Sequence, residues 1–381
     1  MQTADAVASG IDPNKLSALL DRARKEVDEG ILPSSQVAVA RDGKLIAFET
    51  FGDATNDSRY VIFSATKPFV ASSVWQLLEA GELSTDQLVA DIIPTFGSNG
   101  KDVITLEQVM LHTSGFPTSI IRGAEQWEDK DQRAQAFASW KLDYEPGTVY
   151  WYHPTSAHWV LADIIERVTG QDFRSFVRQR VVEPLGLPKF QLGVPAAEQG
   201  DIADLELRGE PMTPDELEAV IGIRELPGNE ASDENLPFMN RPEMRAVGVP
   251  GGGGVGTAAD LALFYQALMR NDKGLWGDAF LHDVTQRVWQ NLPDPMFGTP
   301  AYRGLGVVIA GDDGKANMRG FGHTNSPRAF GHGGAAGQIA WGDPHTGLSF
   351  GYCTNGIDRH MIRQARRSVG LSSRAGALTD R

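Results

Sequence analysis

The order of secondary-structure patterns along the chain is the feature that most restricts its fold. β-prone runs lie near both ends of the 381 residues, and helical patterns fill the middle from about residue 82. Near the N-terminus, two such runs flank an Asp42-Gly43 pair, which predicts a hairpin. Near the C-terminus, the strand candidates are "YRGLGVVIAG", "AGQIAWG" and "LSFGYCTNG". The pattern predicts one sheet built from both chain ends, covered by terminal helices, with a helical domain inserted between them.

This arrangement gives expected boundaries. We expect the sheet domain at residues 1–80 and 250–381, and the helical domain at residues 81–249. Residues 195–245 are acidic and Pro-rich, and we interpret them as a peripheral excursion that forms a flap over a site. A last helix at 358–369 and a disordered tail after it are also expected. A ligand cleft is expected where the two domains meet.

Charge and composition argue against several classes of partner. The net charge is −14, whereas nucleic acids and anionic membrane surfaces bind clustered Lys and Arg. No run approaches the ~18 apolar residues of a membrane helix. The N-terminus lacks a basic region followed by an apolar stretch, so we expect no signal peptide and a cytoplasmic protein. Cys353 is the only cysteine, and its apolar surroundings predict a buried structural thiol.

The stretch "VIFSATKPFV" points to chemistry. Ser64 follows an apolar run and Lys67 comes three residues later, so a helix would place both side chains on one face. A lysine can take a serine proton only if its pKa is lowered, which burial and a nearby cation both do. At a helix start, Ser64 also offers its N–H to a developing oxyanion. The alternative is a helix N-cap followed by a surface lysine, because Ser-x-x-Lys is common by chance.

Two later segments favour the catalytic interpretation. Tyr152 stands just ahead of a long helical pattern that ends at Gly170, and a phenolate beside Lys67 would be a general base. The run His332-Gly333-Gly334 stands at the entry to a predicted strand, where glycines let a backbone approach a ligand. The N–H of Ala335 is then a candidate second oxyanion donor.

The order Ser-x-x-Lys, then Tyr, then a His-Gly-Gly strand resembles the serine β-lactamase and penicillin-binding-protein superfamily. The segments "MLHTSGFP" and "GGGGVGTAADLALFYQAL" are also similar to segments of this family, and the resemblance runs from about residue 14 to about residue 370. It implies a β-lactamase-like fold of the class α/β plus all-α, with an antiparallel sheet flanked by helices.

The resemblance also implies roles for individual residues. Ser64 would be the nucleophile, Lys67 its partner, and Tyr152 the general base and then the acid that protonates the leaving group. The backbone N–H groups of Ser64 and Ala335 would form the oxyanion hole. The segment His332, Gly333 and Gly334 would contact the substrate. The implied mechanism is an acyl-enzyme resolved by water, with no metal and no cofactor.

The chain departs from the lactamases at two positions. Pro154 replaces the Asn of the Tyr-x-Asn motif, and His332-Gly333-Gly334 replaces Lys-Thr-Gly. Both changes remove groups that would hold a β-lactam or a D-Ala-D-Ala peptide, namely an amide clamp and a fixed cation. The chain therefore looks like the family VIII carboxylesterases, which implies a small-molecule ester as substrate. Hydrolysis of β-lactams or D-Ala peptides on the same centre is the alternative.

The residues offer three alternatives from other classes. A Gly-x-Ser-x-Gly at 347–351 would make Ser349 the nucleophile of an α/β-hydrolase, but it lies in a β-prone run with no helix behind it. The eight histidines form no His-x-His or His-Glu-x-x-His pair, which disfavours a metal hydrolase. A non-catalytic scaffold would be expected to lack the Ser, Lys and Tyr. Phe238 and Met239 are candidate lid residues. The core is expected to contain Trp127, Trp151, Trp159 and Trp341. The sequence gives no oligomeric state.

Overall fold

The computed structural model describes residues 2–225, 233–296 and 298–379. The strands in these ranges are β1 (Ser34–Arg41), β2 (Lys44–Gly52), β3 (Tyr60–Val61), β4 (Gln191–Leu192), β5 (Glu206–Arg208), β6 (Gly254–Gly256), β7 (Val308–Ile309), β8 (Phe330–Gly333), β9 (Ile339–Asp343), β10 (Leu348–Thr354) and β11 (Gly356–Asp358). The α-helices are α1 (Pro13–Asp28), α2 (Lys67–Glu79), α3 (Val89–Ile92), α4 (Leu106–Met110), α5 (Gly123–Glu128), α6 (Lys130–Ser139), α7 (Ser156–Thr169), α8 (Phe173–Val177), α9 (Glu183–Leu185), α10 (Pro214–Ile221), α11 (Pro242–Val247), α12 (Ala258–Arg270), α13 (Asp278–Gln286) and α14 (Met361–Ala375).

The central sheet has six strands in the order β2-β1-β10-β9-β8-β7, and every neighbouring pair is antiparallel. Its first two strands come from the N-terminal end of the chain, and the other four come from the C-terminal end. The Asp42-Gly43 pair turns β1 into β2 with φ values of 51° and 74°, as a tight type I′ hairpin requires. The predicted sheet and fold class are therefore confirmed.

Alternating side chains on β1 divide the interior into two layers. Val37 and Val39 pack with α1 and α14 on one face of the sheet, whereas Ala38 and Ala40 pack with α12 on the other. The small residues let α12 lie close to the strands. At Gly351 on β10, a Cβ atom would lie only 2.2 Å from the carbonyl oxygen of Ala258.

The two ends of the chain are held together by a buried ion cluster. Arg367 on α14 is 1% exposed and bonds to Glu26 on α1 and Asp358 on β11.

The prediction that the last helix ends at 369 and that the tail is disordered is wrong. The helix continues to Ala375, and Leu378 beyond it is fully buried, because their apolar side chains cover the sheet face shared with α1.

The middle of the chain is mainly helical and contributes two short strands. One of them, β4, pairs with β6 in a three-stranded sheet of order β3-β6-β4. The other, β5, pairs in parallel with β11 in a separate two-stranded sheet. The division into a sheet domain (1–80 and 250–381) and a helical domain (81–249) stays a prediction. None of the described helices is long and apolar enough to cross a bilayer.

The proposed flap at 195–245 falls partly on residues 226–232, which lie outside the described residues. Within the described part of this segment, the interpretation of Met239 as a lid residue is wrong. That side chain is 2% exposed and belongs to the main core, and Phe238 packs half-buried against the same core. Both side chains are apolar and pack into or against the core. The acidic residues around them in the sequence gave no sign of this burial.

Candidate active site

Ser64 and Lys67 lie at the start of α2, as the spacing predicted. Ser64 belongs to a 3₁₀ turn, Phe63–Thr66, that leads directly into the helix, whose first residue is Lys67. Phe63 has a φ of 46°, so the chain turns sharply just before the serine. Ser64 is half-buried, whereas Lys67 is 1% exposed. The alternative of a surface lysine after an N-cap is therefore wrong.

Lys67 is held by one side chain and two backbone carbonyls. Its Nζ lies 3.2 Å from Ser64 Oγ and donates to the carbonyl oxygens of Pro154 at 2.7 Å and Gly251 at 2.6 Å. Burial, and next the nearby charge of Arg303, lowers the pKa of Lys67 well below its ordinary value. A neutral lysine amine has two N–H groups and one lone pair. The two carbonyls take both N–H groups, which leaves the lone pair for the hydroxyl proton of Ser64.

Tyr152 completes the cluster. Lys67 Nζ lies 4.9 Å from the centre of the Tyr152 ring. The Tyr152 hydroxyl is shielded from solvent, and no atom of the described residues meets it with good hydrogen-bond geometry. Burial raises the pKa of Tyr152, while the hydroxyl of Ser64 and the charge of Arg303 both act to lower it. The hydroxyl therefore faces Ser64 closely enough to interact with it, without an ideal hydrogen bond.

The end of β8 lies against the Ser64 turn, and one glycine makes this possible. A Cβ atom at Gly334 would lie 2.3 Å from the carbonyl oxygen of Ile62, whereas one at Gly333 would meet nothing closer than 3.5 Å. Ala335 follows in a 3₁₀ turn, Ala335–Gly337. In the described part of the chain, the N–H groups of Ser64 and Ala335 have no acceptor, so both remain free for an oxyanion.

Arg303 is the site residue that the sequence analysis missed. Arg303 is 8% exposed and lies just before β7. Its backbone pairs with that of Gln290. Its guanidinium donates to the Tyr150 hydroxyl and lies 3.4 Å from His332 Nε2. Its Cζ lies 5.5 Å from the centre of the Tyr152 ring. The expectation that the site lacks a fixed cation is therefore wrong, because an arginine from another segment supplies one.

No pattern in the sequence marks Arg303. "YRGLG" carries no motif, and only the packing of its segment beside β8 brings the side chain to the site. Its partner His332 is correspondingly constrained. His332 Nδ1 lies 2.6 Å from the carbonyl oxygen of Gly333 and donates to it, so Nε2 is the acceptor that faces Arg303. Burial lowers the pKa of His332 well below its ordinary value, which keeps the ring neutral.

Three more buried histidines line the same interior. His153 accepts from the backbone N–H of Phe116 through Nε2, and its own backbone N–H donates to His112 Nδ1 at 3.2 Å. Burial lowers the pKa of His112 and His158 well below the ordinary value and that of His153 to about 3. The described residues contain no cluster of three or more metal-ligating side chains, so the metal-hydrolase alternative finds no donor set there.

Backbone strain is concentrated around this cluster. Non-glycine residues with positive φ include Phe63 before Ser64, His112 beside Tyr152, and Ala336 after Ala335, with φ values of 46°, 59° and 58°. Such conformations cost about 1–3 kcal/mol each and persist where the surrounding structure enforces them. Their position on three different segments around Ser64 is typical of a functional site.

The other nucleophile candidate is a structural residue. Ser349 lies inside β10 and is fully buried. Its Oγ donates to the carbonyl oxygen of Ala262 at 2.7 Å and accepts from Gln266 Nε2 at 3.0 Å. The α/β-hydrolase alternative is therefore wrong, since no substrate reaches this hydroxyl. Cys353 is also buried, as predicted.

The tryptophans divide between core and surface. Trp127, Trp159 and Trp341 are buried as predicted, whereas Trp151, between the two site tyrosines, is 49% exposed. The expectation that Trp151 belongs to the core is wrong, because the backbone N–H of this residue is tied to the carbonyl of His112 while its ring points to solvent.

A sheet built from both chain ends, with a buried lysine facing a serine at the start of a helix, defines the class of β-lactamase-like serine hydrolases. Residues 19–372 match the family described as Beta-lactamase. The chain belongs to this family and is a serine hydrolase of the β-lactamase and penicillin-binding-protein superfamily.

Individual relatives include both esterases and penicillin-binding-protein homologues. The chain is 29% identical over 322 residues to "Esterase/beta-lactamase LipL" of Mycobacterium tuberculosis, which covers 78% of this chain and 70% of the relative. Among solved structures, a penicillin-binding-protein homologue from Caulobacter crescentus is 25% identical with a TM-score of 0.76, over 97% of this chain and 98% of its own. A family VIII carboxylesterase has a TM-score of 0.75 at 22% identity, over 96% of this chain and 99% of its own, which shows the shared fold.

Proposed function

We propose that this protein hydrolyses carboxylic esters with small acyl groups through an acyl-enzyme on Ser64. The observation that carries the proposal is the environment of Lys67. Two carbonyl oxygens occupy the N–H groups of a neutral amine, and Ser64 Oγ lies 3.2 Å from its nitrogen. A serine hydroxyl becomes a useful nucleophile when an adjacent group accepts its proton.

The reaction follows from this geometry. Lys67 and Tyr152 act as the base, and the proton of Ser64 passes into this pair as Oγ attacks the ester carbonyl. The free N–H groups of Ser64 and Ala335 stabilise the oxyanion. Tyr152 then returns the proton to the leaving alcohol, and water releases the acid by the same steps in reverse. The chemistry requires no cofactor.

Two observations favour an ester as the substrate. Pro154 contributes a backbone carbonyl that binds Lys67 and has no side-chain amide with which to hold a substrate amide. A relative that aligns with about half of the chain is named "Esterase EstB", whereas the relative that aligns with most of the chain carries both names, esterase and β-lactamase. The membership of this chain in the family VIII branch of carboxylesterases is part of the proposal.

The second candidate is hydrolysis of β-lactams or D-Ala peptides on the same centre. Arg303 favours it, because its guanidinium places a positive charge beside His332, where an anionic substrate would otherwise meet a neutral strand. The two candidates share the nucleophile and differ in the substrate.

One assay separates them. Turnover of p-nitrophenyl butyrate and of nitrocefin is measured for the wild type and for Ser64→Ala. We expect ester turnover that the substitution abolishes and nitrocefin turnover that is slow by comparison. Nitrocefin turnover equal to ester turnover would contradict the ester proposal and favour the second candidate. Turnover of neither by the wild type would favour a non-catalytic scaffold.

A further inference from the structure

A buried arginine without a carboxylate partner lies inside the proposed active site. Arg303 is 8% exposed and its Nε has no hydrogen-bond partner among the described residues. Its guanidinium bonds to the neutral groups of Tyr150 and His332 and lies over the ring of Tyr152. A guanidinium stays protonated in proteins. An uncompensated buried charge is costly, so its presence here needs a reason beyond packing.

The position of Arg303 supplies that reason. Its Cζ lies 5.5 Å from the centre of the Tyr152 ring, and Lys67 Nζ lies 4.9 Å from the same centre. Both groups therefore lie near one buried ring, and the charge of Arg303 is, after burial, the second cause that lowers the pKa of Lys67. Because the arginine keeps its proton, the lysine is the group that gives one up. The same charge favours a phenolate on Tyr152 over the phenol.

The four histidines and the second tyrosine around the pair do not offset the charge of Arg303. Burial keeps His112, His153, His158 and His332 neutral, because it lowers the pKa of each. Burial likewise raises the pKa of Tyr150, and the charge of Asp294 raises it further, so this phenol keeps its proton. The charge of Asp294 acts on Tyr150, which accepts a hydrogen bond from Arg303.

We propose that Arg303 is a positioning residue of the reaction, whose fixed positive charge keeps Lys67 a neutral amine and so prepares Lys67 and Tyr152 to accept the proton of Ser64. This inference rests on the proposed function. Arg303 acts through charge and not through contact with the substrate, because its side chain is nine-tenths buried and two of its nitrogens are occupied by Tyr150 and His332. It therefore sets the pH range of the reaction.

The test compares pH profiles. The value of kcat/KM for p-nitrophenyl butyrate, and the rate at which a fluorophosphonate labels Ser64, are measured from pH 5 to 9. In Arg303→Met we expect the acid limb of both profiles to move up by about one to two pH units, the size of shift that a nearby charge causes. Arg303→Lys, which retains a cation, should move the limb back towards the wild type.

Two further variants control for misfolding and for a general effect of lost charge. Arg303→Gln is a second neutral variant that keeps N–H donors for Tyr150 and His332, in case Arg303→Met does not fold. Arg287→Met removes the same charge from a side chain that is 60% exposed beside Trp289, and we expect its profiles to match the wild type. A shift of equal size in Arg287→Met would overturn the inference, since any lost charge would then suffice.

The outcomes separate this inference from the proposed function. A wild type with Ser64-dependent labelling and turnover, together with neutral Arg303 variants whose acid limbs match it, would overturn the inference alone. So would an unchanged profile with a raised KM for an ester that carries a carboxylate, because Arg303 would then bind the substrate. A wild type that neither labels nor turns over at any pH would overturn the proposed function and this inference with it.

Discussion

Lys67 Nζ donates to the carbonyl oxygen of Gly251 at 2.6 Å, although 184 residues separate the two in the chain. The contact joins the start of α2 to the glycine-rich segment ahead of β6. It depends on a glycine, because a Cβ atom at position 251 would lie 3.3 Å from Lys67 Nζ and 3.0 Å from the carbonyl oxygen of Pro154. The position of the Lys67 amine is thus fixed by backbone groups from distant parts of the sequence.

The first prediction concerns Lys67. Lys67→Met keeps the length of the side chain and removes its proton-accepting nitrogen, so we expect kcat/KM for p-nitrophenyl butyrate to fall by about 10²–10⁴-fold, the range of general-base catalysis. Steady-state kinetics at pH 8 measure the effect. Lys101→Met is a matched control, because Lys101 is also fully buried and donates to backbone carbonyls. It lies in a different segment, Pro94–Val103, and its Nζ reaches the carbonyl of Trp140 just after α6. Comparable losses in both variants would mean that the effect is one of folding.

The sequence anticipated the chemistry where the groups are adjacent in the chain or lie in a recognisable motif. Ser64 and Lys67 are three residues apart, and the Asp42-Gly43 turn and the two ends of the sheet followed from local patterns. Arg303 and the carbonyls of Pro154 and Gly251 could not be found this way. A backbone carbonyl leaves no mark in the sequence, because every residue has one. Arg303 reaches the site only through the packing of segments that no local pattern relates.

The expectations that failed share one physical cause. Met239, the residues after 369 and Trp151 were assigned from local composition, whereas their exposure depends on which apolar surface lies nearby. Leu378 is buried because it reaches the layer between α1 and the sheet. Trp151 is exposed because its neighbours Tyr150 and His153 take the buried positions.

The second prediction concerns the close approach of β8 to the Ser64 turn. Gly334→Ala places a Cβ atom 2.3 Å from the carbonyl oxygen of Ile62, so one segment must shift. We expect a loss of about 1–3 kcal/mol in the free energy of unfolding, as overpacking typically costs. Urea denaturation followed by circular dichroism measures it. Gly333→Ala is the control, since its Cβ meets nothing closer than 3.5 Å; equal losses in the two variants would contradict this account.

The third prediction is a pH dependence of stability. Burial lowers the pKa of His153 from 6.5 to about 3. Below pH 6.5, His153 therefore binds a proton in the unfolded chain but not in the folded chain. The free energy of unfolding consequently falls as the pH decreases towards 3. Each such histidine contributes about 1.4 kcal/mol per pH unit.

Denaturation by urea at pH 5, 6, 7 and 8 tests this with His153→Asn. We expect the slope of unfolding free energy against pH below 6.5 to be smaller in the variant by about one proton. His323→Asn, at an exposed position, should keep the wild-type slope. An identical slope in His153→Asn and the wild type would show that His153 is protonated in the folded protein.

The fourth prediction concerns the buried ion cluster between the chain ends. Arg367→Met removes the shared partner of Glu26 and Asp358, which keep Arg22 and Arg363 as partners. We therefore expect a loss of about 1.5–3 kcal/mol in the free energy of unfolding, the range of hydrogen bonds to charged groups. Thermal and urea unfolding measure it. Arg366→Met removes an exposed arginine one residue away and should change stability little. A loss below about 1 kcal/mol in Arg367→Met would contradict a stabilising role for Arg367 in this cluster.

The central claim is that Ser64 carries the acyl group. The most direct measurement is to quench the enzyme in acid during turnover of p-nitrophenyl butyrate and to locate the butyryl group by peptide mass spectrometry. Ser64→Ala and Ser349→Ala are compared in parallel. We predict a butyryl group on Ser64 that is absent in Ser64→Ala and retained in Ser349→Ala. A butyryl group on Ser349, or full turnover by Ser64→Ala, would contradict the account.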